Sequence, residues 1–340
     1  MTSTSDIPSA VIEAWDLEGA TFAPIATGWI NRTFLVTRGD ERLVLQRLHP
    51  VFAGTVNRDI DAITRHLEGT DVRTPRIVPT RTGALWIDVD RPWRMLTHVG
   101  GETLDTLGTP ARARSAGALA GRFHRALADL EHTFAFTRPG AHDTPAHLAK
   151  LARVRGEHAL EDRVAIDALA DAILAYPLPR IGALPTRIIH GDLKATNLRF
   201  EGETAIAVLD LDTLAHGTIA VDVGDALRSW CNLRGEADGA SHFDAVTFEA
   251  AMTGYAESTR GWLTREEAFA IVPTTETIAL ELASRFAADV YEDSYFGFDA
   301  TRFPTRRAHN LARTEAQLAL ARSIRAQREG LEAIVRALGF

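Results

Sequence analysis

The stretch Ile188–Phe200, IIHGDLKATNLRF, followed by Ala207-Val-Leu-Asp210-Leu-Asp212, decides how this chain is read. His190-x-Asp192-x-x-x-x-Asn197 puts a carboxylate and a carboxamide on one tight loop. A short apolar run then delivers a second carboxylate, Asp210, beside them. One carboxylate that orients an attacking hydroxyl and takes its proton, with an Asn and an Asp that hold Mg2+, is the protein's share of phosphoryl-transfer chemistry. A few fixed letters in a loop are weak alone, because Asp, Lys, Thr and Asn are also ordinary turn residues and a polar turn capping a hairpin would use them. The strand context and the second acidic motif favour the catalytic reading.

Composition narrows the classes. A chain of 340 residues is long enough for two domains or one large bilobal unit with a substantial core. A 46% apolar and 24% charged composition is that of a soluble globular protein. The net charge of −8, from 37 basic and 45 acidic residues, argues against a nucleic-acid partner, so any ATP is met by placed cations and Mg2+ rather than by a global field. The single cysteine, Cys231, excludes an internal disulfide framework and fits a reducing cytoplasm. No run approaches the ~20 apolar residues of a membrane span. The start, MTSTSDIPSAV, lacks the cationic and apolar blocks of a signal peptide. The expectation is a cytoplasmic protein without a membrane partner, and its oligomeric state is not legible.

Hydropathy patterning divides the chain. Thr21–Ala26, Thr33–Val36 and Leu43–Leu48 read as strands, with polar turns at Thr27–Asn31 and Gly39-Asp40; the latter is a hairpin signal. Ile60, Ile63 and Leu67 share one face of a helix over Asn57–Leu67, and Ile77-Val78, Leu85–Asp88 and Trp93–Thr97 supply further strands. Beyond Gly100-Gly101, alanine-rich helices dominate, over Thr109–Leu130 with Pro110 at the first helical position, Pro145–His158, Asp162–Ala175 and from Phe243 onward. The strands carrying the motif interrupt them at Arg187–Leu214.

With these residues in view, the chain resembles the aminoglycoside phosphotransferase and choline kinase superfamily over nearly its whole length. Three stretches are similar to bacterial N-acetylhexosamine 1-kinases: Gly28-Trp-Ile-Asn-Arg-Thr-Phe34, VLDLDTLAHG with DVGDALR (Asp222–Arg228), and ELASRFAADVYEDSYF (Glu281–Phe296). The resemblance implies a bilobal, protein-kinase-like α+β fold. Residues 1–99 would form a small antiparallel-sheet lobe with one helix, and residues 100–340 a large, mainly helical lobe, with ATP in the cleft. It further implies that Arg285 and Tyr295 hold a sugar acceptor.

The candidate roles follow. Asp192 is the base; in a loose transition state the hydroxyl sheds its proton late, so positioning matters more than a raised pKa. Asn197 and Asp210 are the metal ligands, oxygen donors suited to Mg2+. His190 braces the loop. Asp212, sharing a strand face with Asp210, takes a second Mg2+, reaches the sugar, or bonds the Ala215–Gly217 turn. Asp222 and Asp225 cap a helix and accept donors from the catalytic loop. Gly28 and Asn31 belong to the phosphate-facing turn, and the Thr97–Val99 backbone meets adenine at the hinge. Kinases place a phosphate-pairing Lys on the third strand, and here that slot holds Gln46. Arg47 is the neighbouring candidate cation, although period-two geometry points it the other way unless a bulge re-aims it. Arg94 reads as ordinary β-surface, Glu281 and Arg285 as a surface i,i+4 pair if not part of a pocket, and Thr144 as a helix cap before Pro145. The leading reading is an ATP- and Mg2+-dependent kinase of an amino sugar. The alternatives are another small alcohol (an aminoglycoside, homoserine or a choline-like molecule) or a nucleotide-binding regulator without turnover.

Overall fold

The computed structural model describes residues 7–25, 31–157 and 163–340. Helix α1 (Ser9–Trp15) precedes strands β1 (Thr21–Ile25), β2 (Arg32–Arg38) and β3 (Glu41–Arg47). Helix α2 (Val56–His66), β4 (Ile77–Val78), β5 (Ile87–Asp88) and β6 (Pro92–Thr97) complete the first lobe. The second holds α3 (Pro110–Ala126), α4 (Thr144–Glu157), α5 (Val164–Leu174), β7 (Arg187–Ile189), β8 (Leu198–Glu201), β9 (Thr204–Val208), β10 (Ala215–Gly217), α6 (Ile219–Trp230), α7 (Ala245–Thr259), α8 (Arg265–Glu292) and α9 (Arg306–Ala337). The architecture is the expected bilobal α+β one. Its first lobe is a six-stranded antiparallel sheet ordered β1-β2-β3-β6-β4, with β5 on β6.

Alternation along the strands sorts the sheet into two faces. Phe34, Val36, Leu43, Leu45, Trp93 and Met95 bury one face under Val11 and Trp15 of α1, a helix with no counterpart in the sequence reading. The other face carries Leu96 toward α2, whose Ile60 and Ile63 are buried as the periodicity requires. Gln46 lies opposite Arg94 on that inner face, while Arg47 lies opposite Trp93 on the outer one. Among the described residues no helix is long and apolar enough to cross a membrane.

In the helical lobe α3 and α7 approach closely because small residues line the seam. A Cβ on Gly117 would stand 1.9 Å from the Ala251 carbonyl oxygen, and one on Gly254 would stand 2.0 Å from that of Arg114. Helix propensity alone favours Gly117→Ala by about 0.8–1.0 kcal/mol. The clash is with backbone, which cannot rotate away, and overpacking of this kind costs about 1–3 kcal/mol. We therefore expect a net lower urea midpoint for Gly117→Ala; a raised midpoint would mean the seam yields.

Candidate active site

The loop between β7 and β8 carries residues 190–197, and its backbone is held from three sides. Asp222 of α6 accepts the His190 and Gly191 N–H groups, both at 2.7 Å, and His124 Nε2 at 2.8 Å. Burial works to raise the Asp222 pKa, but the His124 bond and the charges of His124 and His190 hold it below the usual value. His190 Nε2 donates to the Leu209 carbonyl at 2.7 Å and Nδ1 accepts the Asp192 N–H at 3.2 Å, so the ring braces the loop against the end of β9. Gly191 has φ +81, and a Cβ there would stand 2.5 Å from the Thr213 carbonyl oxygen. Only glycine lets the two loops meet this closely. The cap of α6 is Thr218, not Asp222, and Asp225 pairs with Arg228 at 2.8 Å.

Asp192 and Asn197 come together: Asn197 Nδ2 donates to the Asp192 backbone carbonyl at 2.8 Å and to its Oδ2 at 3.1 Å. Lys194 donates to the same Oδ2 at 2.6 Å. Burial would raise the Asp192 pKa, but the Lys194 ammonium brings it below the usual carboxylate value. The Lys194 pKa rises because Asp192 and Asp210 outweigh its own burial. Asp210 is exposed where it opens into the cleft, with protein packed around it on its other sides. Desolvation there, reinforced by the Asp212 and Asp192 carboxylates and opposed by Lys194 and Arg94, pushes its pKa up to about 6.

Asp212 is turned onto Arg94 and does not share a strand face with Asp210. Asp210 adopts a left-handed backbone, φ 55 and ψ 64, and residues 211–213 form a helical turn, so the strand-face reading fails. Asp212 is 2% exposed and binds Arg94, Oδ1 to Nη1 at 2.5 Å and Oδ2 to Nη2 at 2.9 Å. Arg94 is itself 1% exposed, not β-surface. Its Nε and Nη2 bond Gln46 Oε1 at 2.8 and 2.6 Å, and its Nη1 bonds Asn57 Oδ1 at 3.3 Å. Asn31 is anchored too, donating to Asp212 Oδ2 at 2.7 Å and accepting the His49 N–H at 2.9 Å.

Arg47 does not reach the cleft. No bulge re-aims it, and it pairs with Asp90 on the outer side. Of the hinge pair, Thr97 spends its N–H on the Arg76 carbonyl at 2.9 Å. The Val99 backbone N–H and C=O have no partner among the described residues. Gly28 lies outside the described residues.

Arg285 and Tyr295 line one cavity of about 240 Å3, with Arg138, Lys150, Asp289 and Phe296 among its walls. The Tyr295 hydroxyl bonds Arg138, and the Arg285 guanidinium lies 5.8 Å from the Phe296 ring centroid. Asp289 is fixed in that wall, where it accepts the N–H groups of Ser294, Tyr295 and Phe296 and the Asn310 amide. Glu281 is buried, not a surface partner: Thr144 Oγ1 donates to it at 2.7 Å, His142 bonds it at 3.2 Å, and Arg285 stands 4.0 Å away. The start of α4 is capped instead by Asp143, which accepts the Ala146 N–H at 3.0 Å.

The model of the phosphotransferase enzyme family matches residues 21–257. The chain belongs to that family. It is 26% identical over 244 residues to homoserine kinase of Methylobacillus flagellatus, covering 72% of this chain and 70% of that protein. Among solved structures, amicoumacin kinase in complex with AMP-PNP, Ca2+ and Ami superposes with a TM-score of 0.62 at 14% identity, over 94% of this chain and 93% of that one. The microcompartment-associated aminopropanol kinase superposes with a TM-score of 0.61 at 17% identity, over 97% and 99%. Both share the fold. This family member is accordingly a phosphotransferase with an alcohol group as acceptor.

The donor set fits a divalent ion completed by phosphate and water. The Asp210 carboxylate and Asn197 Oδ1 carry no hydrogen bond among the described residues; Asn197 is buried, and Asp210 is exposed where it opens into the cleft. Among those residues no cluster of three or more His, Cys, Asp or Glu holds a metal by itself. Three residues here have no role in the sequence reading: Lys194, Arg94 and Arg138. Lys194 is within reach of such a reading, two positions from the base. Arg94 becomes legible only once its strand is known to pair with that of Gln46.

Proposed function

We propose that this phosphotransferase moves the γ-phosphoryl group of ATP, bound with Mg2+, to a hydroxyl of an amino sugar of the N-acetylhexosamine kind. Asp192 orients the acceptor hydroxyl and takes its proton, with Lys194 beside it to face the transferred group. Asn197 and Asp210 hold the metal, which supplies neutralisation of charge on the phosphates. The free Val99 backbone meets the adenine edge. Arg285, Tyr295 and Phe296 receive the acceptor.

The cavity supports this reading: three cations, Arg138, Lys150 and Arg285, face one carboxylate, Asp289, and of the three Lys150 is paired with Glu292 at 2.7 Å. The remaining cationic excess disfavours choline-like and aminoglycoside acceptors, while an arginine fork and aromatic rings suit the oxygens and faces of a single sugar ring. A second reading, homoserine, is favoured by the likeness to homoserine kinase and by the same cations, which would take a carboxylate. Arg285→Ala separates pocket from surface. A charged bond to a substrate oxygen contributes about 1.5–3 kcal/mol, so acceptor kcat/KM should fall roughly ten- to a hundred-fold with the KM for ATP unmoved. Unchanged kinetics with every acceptor would remove Arg285 from the site. Steady-state ADP release with N-acetylglucosamine, N-acetylgalactosamine, homoserine, choline and an aminoglycoside tests the acceptor class. Turnover of only the cationic members contradicts the proposal, and turnover of homoserine alone selects the second reading.

A further inference from the structure

We infer that Arg94 is a positioning residue that clamps the metal-binding turn to the nucleotide lobe, a device this chain uses where Gln46 stands in the usual lysine slot. The inference rests on the proposed metal role of Asp210. A lysine on the third strand is a point charge that reaches phosphate oxygens. Arg94 sits on the neighbouring strand, in register with Gln46, and every N–H of its guanidinium is already spent on Gln46, Asn57 and Asp212. It has none left for a phosphate. Its planar fork instead grips both oxygens of one carboxylate, the geometry for which arginine is suited and lysine is not.

The grip has consequences two residues away. Asp210 holds a left-handed backbone, sparsely populated by non-glycine residues although aspartate enters it more readily than most, and here contacts on both sides hold it. On one side the Leu209 N–H bonds the Asn197 carbonyl at 2.8 Å, and on the other Asp212 is locked by Arg94. Asp212 also takes the Asn31 amide, and Asn31 takes the His49 N–H, so one carboxylate gathers the start of β2, the end of β3, α2 and β6. A fully buried ion pair is weak evidence for stability, because a well-packed apolar pair would often serve as well. Holding Asp210 in register with the nucleotide gives these charges a use.

The test is calorimetry of the full chain with ATP plus Mg2+ and, separately, ADP in EDTA. Arg94→Met and Asp212→Asn should each weaken Mg2+–ATP binding roughly ten- to a hundred-fold, the usual cost of removing a partner that orients a metal ligand. ADP in EDTA should change by no more than about twofold, since the adenine contact proposed at Val99 lies beyond the end of β6, five positions along the chain from Arg94. The double variant should lose no more than either single one. Should Arg94→Met fail to fold around the uncompensated Asp212, the neutral pair Arg94→Met/Asp212→Asn is measured in its place. Equal losses for both ligands, or a folded double variant with wild-type Mg2+–ATP affinity, would overturn the inference. Wild-type protein whose ATP binding ignores Mg2+ would instead remove the proposed metal role of Asp210, and this inference with it.

Discussion

Asp192→Asn is expected to lower kcat by about 10²–10⁴-fold, the usual share of a positioned general base, while Mg2+–ATP binding survives. The change keeps the side chain's shape and removes its charge and proton-accepting capacity. Its neighbours make the expectation specific. Asn197 donates to the Asp192 backbone carbonyl as well as to its side chain, so the loop is not held by the carboxylate alone. The anchors at His190, Gly191 and Asp222 are also untouched. The loss should therefore lie in kcat and not in nucleotide affinity. Lys194 loses its counter-charge, and because both groups are partly exposed the effect on stability should be small. Wild-type kcat with the best acceptor would remove Asp192 from the chemistry.

Asp210→Ala should produce the opposite pattern, loss of the difference between ATP affinity in Mg2+ and in EDTA. Asn197 then remains as the one candidate ligand, and Mg2+ bridging phosphates needs a carboxylate among its partners. The pH dependence has a definite sign. Asp210 in the metal-free protein has a pKa raised to about 6, chiefly by desolvation and by Asp212. The metal needs the ionised form, so below that pH a proton competes and apparent Mg2+ affinity should fall by about tenfold per unit. For stability the sign reverses. Between about 6 and the ordinary 3.8 the folded, metal-free protein binds more protons at this group than the unfolded chain. Acidification through that window therefore stabilises the apo form at Asp210, and Asp210→Ala should abolish that contribution. Calorimetric Mg2+ titrations from pH 7 to 5 check the first sign, and thermal unfolding of the metal-free wild type and Asp210→Ala between pH 7 and 4 checks the second. A Mg2+-dependent affinity unchanged in Asp210→Ala would move the metal role elsewhere.

Features that depend on local spacing are legible in the chain. The Gly39-Asp40 hairpin, the buried stripe Ile60 and Ile63, and the meeting of Asp192 with Asn197 all follow from residues a few positions apart. Features that depend on partners distant in sequence, or on one unusual dihedral, are not. Arg94 passes for β-surface because nothing near it announces Asp212, 118 positions away. Period-two spacing places Asp212 beside Asp210 on a strand face, and the left-handed Asp210 turns it inward. Glu281 and Arg285 have helical spacing, but α4 buries the glutamate and leaves the arginine to the cavity. At the start of α4 the cap moves from Thr144 to Asp143 because the Thr144 hydroxyl is drawn to Glu281.

The decisive experiment is 31P NMR of wild-type protein with ATP, Mg2+ and N-acetylglucosamine or N-acetylgalactosamine, with homoserine and an aminoglycoside in parallel. Phosphoryl transfer with Asp192 as base and a metal on Asn197 and Asp210 requires a new phosphate-ester signal, of the sugar on the proposed reading, that grows in step with ADP, is absent in EDTA, and is lost in Asp192→Asn. ADP accompanied only by inorganic phosphate with every acceptor, or an ester that forms at the wild-type rate in Asp192→Asn, would contradict it.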